Sequence, residues 1–197
     1  MAPYYETAKS FSDVLITDEG VETASFLHAS DDFVAMFDLL GTGVFSFVQT
    51  DLRSNIAGVR ARYEVTSNES RTLEKMAEQE AREKQRHATA CLVRLVRGLL
   101  FTCRALQNMQ QDKAAELHVC FRRSYDEILR QHHSFVVRSV VMVAIRAVPH
   151  RRDFYNRLAQ GTAHDKFDAE LVKWLLGLEV IVMRMKDFLE RGGYGKV

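Results

Sequence analysis

Apolar positions recur at helical spacing along nearly the whole chain, and no segment alternates with the period of two that marks a half-buried strand. The spacing predicts helices over 5–16, 22–40, 45–65, 69–84, 87–110, 113–130, 133–148, 151–160 and 165–191, with essentially no sheet. Three of these segments are more apolar than a surface helix needs to be. Between Cys91 and Leu106 only Arg94, Arg97, Gly98, Thr102 and Arg104 interrupt the apolar run, and between Phe135 and Val148 only Arg138, Ser139 and Arg146 do. Leu171 to Leu189 carries Trp174, Leu175, Leu176, Leu178, Val180, Ile181, Val182, Met183 and Met185. A helix apolar around most of its circumference is buried on both sides. The pattern therefore predicts one all-α domain over residues 1–197, layered, with central helices sandwiched between others. None of the three reaches the uncharged span of about 20 apolar residues that crosses a bilayer. Periodicity leaves open whether the core is solid or encloses a chain-shaped cavity.

Composition narrows the class. Apolar residues make up 47% and charged residues 27%, with a formal net charge of +1, the profile of a globular chain rather than a disordered one. Pro3 and Pro149 are the only prolines, which favours long helices. Cys91, Cys103 and Cys120 are odd in number, lie in apolar surroundings and lack Cys-x-x-Cys spacing, so they read as free buried thiols of a reducing compartment. The N-terminus shows no basic stretch followed by an apolar one, and a cytoplasmic location is expected. Charge is unevenly distributed. Residues 1–50 hold Lys9 against eight acids, whereas residues 120–160 hold eight arginines against Asp126, Glu127 and Asp153. Such a basic region can attract an anionic membrane surface or nucleic acid, or simply pair with acids elsewhere in the fold.

Catalytic signatures are missing: there is no His-Glu-x-x-His, no Gly-x-Ser-x-Gly, no phosphate-cradling Gly-rich loop and no dinucleotide fingerprint. The seven histidines lack zinc-ligand spacing, and no aromatic platform for nucleic acid is visible. The expectation is a non-enzyme without metal or cofactor. What remains is a sparse polar set embedded in oil. An apolar helix from Phe33 ends at the Gly41-Thr42-Gly43 hinge, and the next helix carries Asp51 and Asn55 one turn apart on a shared face. A carboxylate and an amide so placed can grip one neutral polar group holding donors and acceptors. Arg94 and Arg97 sit on an otherwise buried helix and need partners. His133 heads the second apolar helix. Each also has a structural reading, as a surface pair, an arginine bridging to an acid or a capping histidine.

Three motifs in order give these residues a family context. Phe37-Asp-Leu-Leu-Gly41, Phe45 and Asp51-Leu-Arg-Ser-Asn55 form the first, and Arg94-Leu-Val-Arg97-Gly-Leu-Leu-Phe101 the second. Tyr125, His133-Ser-Phe-Val-Val-Arg138, Ala147-Val-Pro149 and Asp153-Phe154 form the third, and the chain ends Tyr-Gly-Lys-Val. In these the chain resembles the glycolipid transfer protein superfamily. The resemblance implies a two-layer helical sandwich enclosing a hydrophobic pocket for lipid chains, and non-vesicular transfer of a sphingolipid between membranes. It implies that Asp51 accepts from the sphingoid amide N–H and a nearby hydroxyl, and that His133 donates to the acyl carbonyl. Asn55, Arg94 and Arg97 join them around the headgroup. Phe45, Val48, Leu92, Phe101, Val136 and Val140 are the expected pocket lining, and Phe135 the expected membrane contact. The expected partners are the lipid and, transiently, a membrane surface, with the protein a monomer.

Departures from the family pattern bear on the headgroup. Glycolipid binders place a tryptophan where this chain has Arg94, and a lysine where it has Gly58. The ceramide-1-phosphate branch has arginine at the Arg94 position, but lysine where this chain keeps Asn55 and a further arginine at Ala90. Arg94 fits bidentate recognition of phosphate, with Arg97 in support. The reading therefore leans toward a phosphorylated sphingolipid such as ceramide-1-phosphate. Glycosphingolipid transfer, a sphingolipid sensor acting through a protein partner and a solid helical adaptor are the alternatives. Phe135, with Arg138, Arg146, His150, Arg151 and Arg152 following, suggests a peripheral, salt-sensitive docking face.

Overall fold

The computed structural model describes residues 4–41, 43 and 45–197, with the backbone alone at Tyr5. It is an all-α two-layer sandwich. The helices are α1 (Tyr4–Thr7), α2 (Thr23–Leu40), α3 (Ser46–Val65), α4 (Leu73–Arg82), α5 (His87–Gln111), α6 (Leu117–Ser124), α7 (Phe135–Arg146), α8 (Arg151–Ala159) and α9 (His164–Arg191). A small hairpin of β1 (Ile16–Thr17) and β2 (Gly20–Val21) pairs antiparallel, Ile16 opposite Val21.

The long helix α5 lies at the centre, packed against α3, α4, α6 and α9. Its start is fixed by a buried carboxylate. Glu80 accepts from the Ala88 and Thr89 amides at 3.0 and 2.7 Å and from the Thr89 hydroxyl at 2.7 Å, satisfying donors that a helix N-terminus leaves free. Helix α3 packs antiparallel on α5. Leu52 lies against Gly98, and further along α3 Gly58 lies against Cys91 and His87. A Cβ on Gly58 would fall 2.4 Å from Cys91 Sγ, so glycine is what allows this approach. On the other side of the core an aromatic cluster joins α2 to α9: Trp174 meets Phe11 edge-on at 5.4 Å and Phe33 at 6.1 Å. Phe37 continues the cluster from Phe33 at 5.4 Å to Phe45 at 5.8 Å.

Three expectations are corrected. The helix expected over 5–16 is instead α1, a 3-10 turn at Phe11–Asp13 and strand β1. The Ser10 hydroxyl accepts from the Ser12 amide at 3.2 Å, an alternative to helical pairing that also sets Phe11 into the aromatic cluster. The helix expected over 113–130 passes at Tyr125 into a π-helical turn, Tyr125–Leu129, and then a 3-10 turn, Arg130–His132. Helices α7 and α9 are not buried on both sides. α7 buries only Val141, Ala144 and Ile145, and α9 leaves Val172, Leu176, Val180 and Met183 exposed. Part of the basic region is structural. Arg151 donates to the carbonyls of Met109, Asp112 and Ala115 at 2.6–2.8 Å, closing the C-terminal end of α5. Arg138 donates to those of Arg130 and His133 at 3.1 and 2.9 Å.

Among the described residues no helix is long and apolar enough to cross a membrane, and no cluster of potential metal ligands is found. Cys91, Cys103 and Cys120 are free and buried, and burial pushes the Cys103 thiol up to about 12.

Candidate functional site

Between α3, α5, α6 and α7 lies a cavity of about 340 Å³. Its walls are mostly apolar, with Phe37, Phe45, Phe47, Val48 and Leu52 on one side and Phe101, Phe121, Val137, Val141 and Ile145 on the other. Asp51, Arg94, Arg97, His132 and His133 also line it. An apolar cavity with a few convergent polar groups is the usual form of a small-molecule site.

Helix α3 sets Asp51 on the face turned to α5. The Asn55 amide nitrogen donates to the Asp51 backbone carbonyl at 2.8 Å and to its carboxylate at 3.3 Å. Asn55 is buried and does not line the cavity; it holds Asp51 from behind instead of gripping a ligand beside it. The two arginines of α5 that line the cavity behave differently. Arg97 Nε donates to the Lys196 carbonyl at 2.7 Å, so its partner is backbone of the C-terminal segment and not an acid. Burial and the neighbouring Arg94 pull the Arg97 guanidinium below its ordinary range. Arg94 is exposed at the cavity and makes no hydrogen bond or ion pair among the described residues.

His133 follows the 3-10 turn and precedes α7. Its Nδ1 lies 3.3 Å from the Tyr125 hydroxyl, and its backbone carbonyl is held by Arg138. Burial keeps the imidazole below its ordinary value, opposed in part by Asp51. A neutral His133 whose Nδ1 accepts from Tyr125 carries its single N–H on Nε2. Tyr125 is buried and packs edge-on to Phe101 at 6.4 Å. The π-helical turn thus places the Tyr125 hydroxyl beside the histidine, and such turns recur at functional positions. His132 also lines the cavity. Its Nε2 is buried without a hydrogen-bond partner among the described residues.

Of the expected lining, Phe45, Val48 and Phe101 face the cavity. Leu92 does not: it is wholly buried in the core on another face of α5. Val136 and Val140 do not either, since they point outward on α7, Val136 with 71% of its surface exposed. Val137 and Val141 take their places. They continue from His133 at four-residue steps, so the histidine marks the phase of the inner face. Phe135, 83% exposed, stands outside with Val136, Val140 and Val143 as an apolar strip. The hinge is described only at Gly41 and Gly43, both at positive φ (+116° and +54°), Thr42 lying outside the described residues.

The family model of Glycolipid transfer protein (GLTP) matches residues 21–160. A glycolipid transfer protein of Aureobasidium melanogenum is 36% identical over 187 residues, 94% of this chain and 92% of its own. Pleckstrin homology domain-containing family A member 8 of Homo sapiens is 35% identical over 150 residues, 74% of this chain but 29% of its own length. The crystal structure of HET-C2, a fungal glycolipid transfer protein, superposes with a TM-score of 0.90 at 39% identity over 95% of this chain and 96% of its own. The chain belongs to the glycolipid transfer protein family.

Proposed function

We propose that this protein carries a sphingolipid between membranes without vesicles, and that the lipid bears a phosphorylated headgroup of the ceramide-1-phosphate kind. The observation that carries the headgroup reading is Arg94, a guanidinium at the cavity with no partner among the described residues. A planar fork of donors suits phosphate oxygens, whereas it offers a sugar no indole to stack on. Asp51, steadied by Asn55, accepts from the amide N–H, and His133 Nε2 donates to the acyl carbonyl. Matching both sides of one amide selects ceramide, because a ligand lacking those groups leaves the site's polar atoms unpaired. The chains lie along the apolar wall, each buried CH₂ contributing about 0.8 kcal/mol relative to water. No bond is made or broken, so the protein acts as a carrier and not as an enzyme.

The exposed strip of Phe135, Val136, Val140 and Val143 is the face that meets the bilayer. The protein works as a monomer in the cytoplasm. A second reading, glycosphingolipid transfer, is favoured by the names of the relatives at 36% and 39% identity. Mass spectrometry of lipid extracted from the purified protein, with vesicle-to-vesicle transfer of ceramide-1-phosphate and glucosylceramide, separates the two. Faster transfer of glucosylceramide with an undamaged Arg94→Ala variant overturns the phosphate reading.

A further inference from the structure

A second groove, of about 450 Å³, runs along the outer face of α9 and shares no lining residue with the lipid cavity. Its other wall is the segment from Phe11 to Ile16. Gly177 lets that segment lie directly on the helix, since a Cβ there would fall 2.4 Å from the Ser12 backbone. Beside this contact Val172, Leu176, Val180 and Met183 form an exposed strip at steps of four and three residues, ~16 Å long. Leu176 and Val180 are 58% and 57% exposed, and Leu15 on the facing segment is exposed as well. A contiguous apolar strip of this kind marks an interaction surface. Its spacing suits the ridge of a second helix laid into the groove.

Charge decides what covers it. Of the acids in residues 1–50, Glu6, Glu19 and Asp31 pair with Lys166, Lys75 and Arg60, and Asp32 lies with His28 and the Lys9 amide. Asp13, Asp18 and Glu22 form no ion pair among the described residues, and all three gather at the groove. Asp13 is on the Phe11–Ile16 segment, Asp18 is in the hairpin turn after Ile16, and the Glu22 amide donates to the Leu15 carbonyl at 2.9 Å. Around them the pairs Glu19–Lys75, Glu74–Arg184 and Asp187–Arg191 cancel. That leaves Asp13, Asp18, Glu22, Glu170 and Glu179 against Arg71 and Lys173, a net negative rim. Such a rim repels an anionic bilayer. A second copy laid strip to strip would bring two acidic rims together, which like charge opposes. A cationic partner is what the rim attracts.

We infer that this groove docks a basic amphipathic helix of a partner protein. Its apolar ridge lies on Val172, Leu176, Val180 and Met183, and its cationic flank faces Asp13, Asp18 and Glu22. Because the lipid cavity is separate, the chain can hold lipid and partner together. The test is fluorescence anisotropy of a labelled synthetic helix with leucines at the matching steps and lysines along one flank. Its control is the same helix with glutamates in place of the lysines. The lysine helix is expected to bind about tenfold more tightly than the glutamate helix. A triple Asp13→Asn, Asp18→Asn, Glu22→Gln variant should remove that difference. A double Leu176→Ala, Val180→Ala variant should weaken binding about tenfold and leave vesicle-to-vesicle lipid transfer unchanged. Equal binding of the two helices overturns the cationic partner, and binding that survives the double variant overturns the groove. A dimer of the chain alone that Leu176→Glu dissociates, seen by sedimentation, gives the face to a second copy. Anionic-vesicle binding lost in Leu176→Ala gives it to a membrane. Either of these outcomes also overturns the proposal.

Discussion

The Asn55 side chain donates to Asp51 twice, at 2.8 Å to its backbone carbonyl and at 3.3 Å to its carboxylate. A pair that shares a helix face therefore acts in series: Asp51 meets the cavity and Asn55 steadies it. Asp51→Val should abolish transfer while the circular dichroism spectrum and unfolding midpoint stay near those of the parent, because Asp51 is exposed. Asn55→Ala should reduce transfer about tenfold and also destabilise the fold by ~1–3 kcal/mol, since a buried hydrogen-bonding group is lost. Equal stability costs for the two variants would show that Asn55 does not act through Asp51.

The difference between Asp51 and Asn55 also shows where sequence reasoning stops. Helical spacing placed both on one face and located α2, α3, α5 and α9 closely, because long amphipathic segments repeat their signal over many turns. It could not rank burial within that face, which depends on the partner helix. The same limit explains Val136 and Val140. In Phe135–Val148 nearly every position is apolar, so the pattern carries no phase, and only His133 as a reference points to Val137 and Val141. The interruption at Tyr125 was invisible for a different reason: a π-helical turn inserts into the ladder without a proline or glycine to announce it.

On the proposed reading, Arg94 governs the choice of headgroup. Replacing it with tryptophan restores the stacking surface that glycolipid binders in the family carry, and removes the fork that suits phosphate. Arg94→Trp should cut transfer of ceramide-1-phosphate at least tenfold and raise that of glucosylceramide. Gly58 limits the gain, because a lysine there would need space held by Cys91 Sγ, 2.4 Å from the position of a Cβ. Vesicle transfer of the two lipids, measured in parallel, reads both changes.

On the proposed reading, membrane docking rests more on the apolar strip of α7 than on the arginines around it. Arg138 and Arg151 are held by backbone carbonyls, which ties their side chains to the fold while leaving them charged. Phe135→Ala should lower partition to vesicles about tenfold, the equivalent of ~1.4 kcal/mol. Binding of a short-chain soluble ceramide should be unchanged, because Phe135 does not line the cavity. Vesicle sedimentation across a salt series checks the point. A loss of partition with salt as large as the loss from Phe135→Ala would return the docking role to the charges.

Acidification should weaken both the fold and the grip on the lipid amide, through His132 and His133. Burial lowers both imidazoles below the ordinary 6.5, with Asp51 partly opposing this at His133 and neighbouring cations reinforcing it at His132. The native state therefore binds fewer protons than the unfolded chain over the interval between the lowered values and 6.5, and stability rises with pH there. Their contribution is complete above 6.5, declines as pH falls through the interval and is flat below the lowered values. Protonation also turns His133 Nδ1 from acceptor to donor, which ends its pairing with the Tyr125 hydroxyl as donor. The unfolding midpoint should fall from neutral to mildly acidic pH, and a double His132→Gln, His133→Gln variant should show a shallower fall. An unchanged slope in that variant would assign the acid sensitivity to other groups.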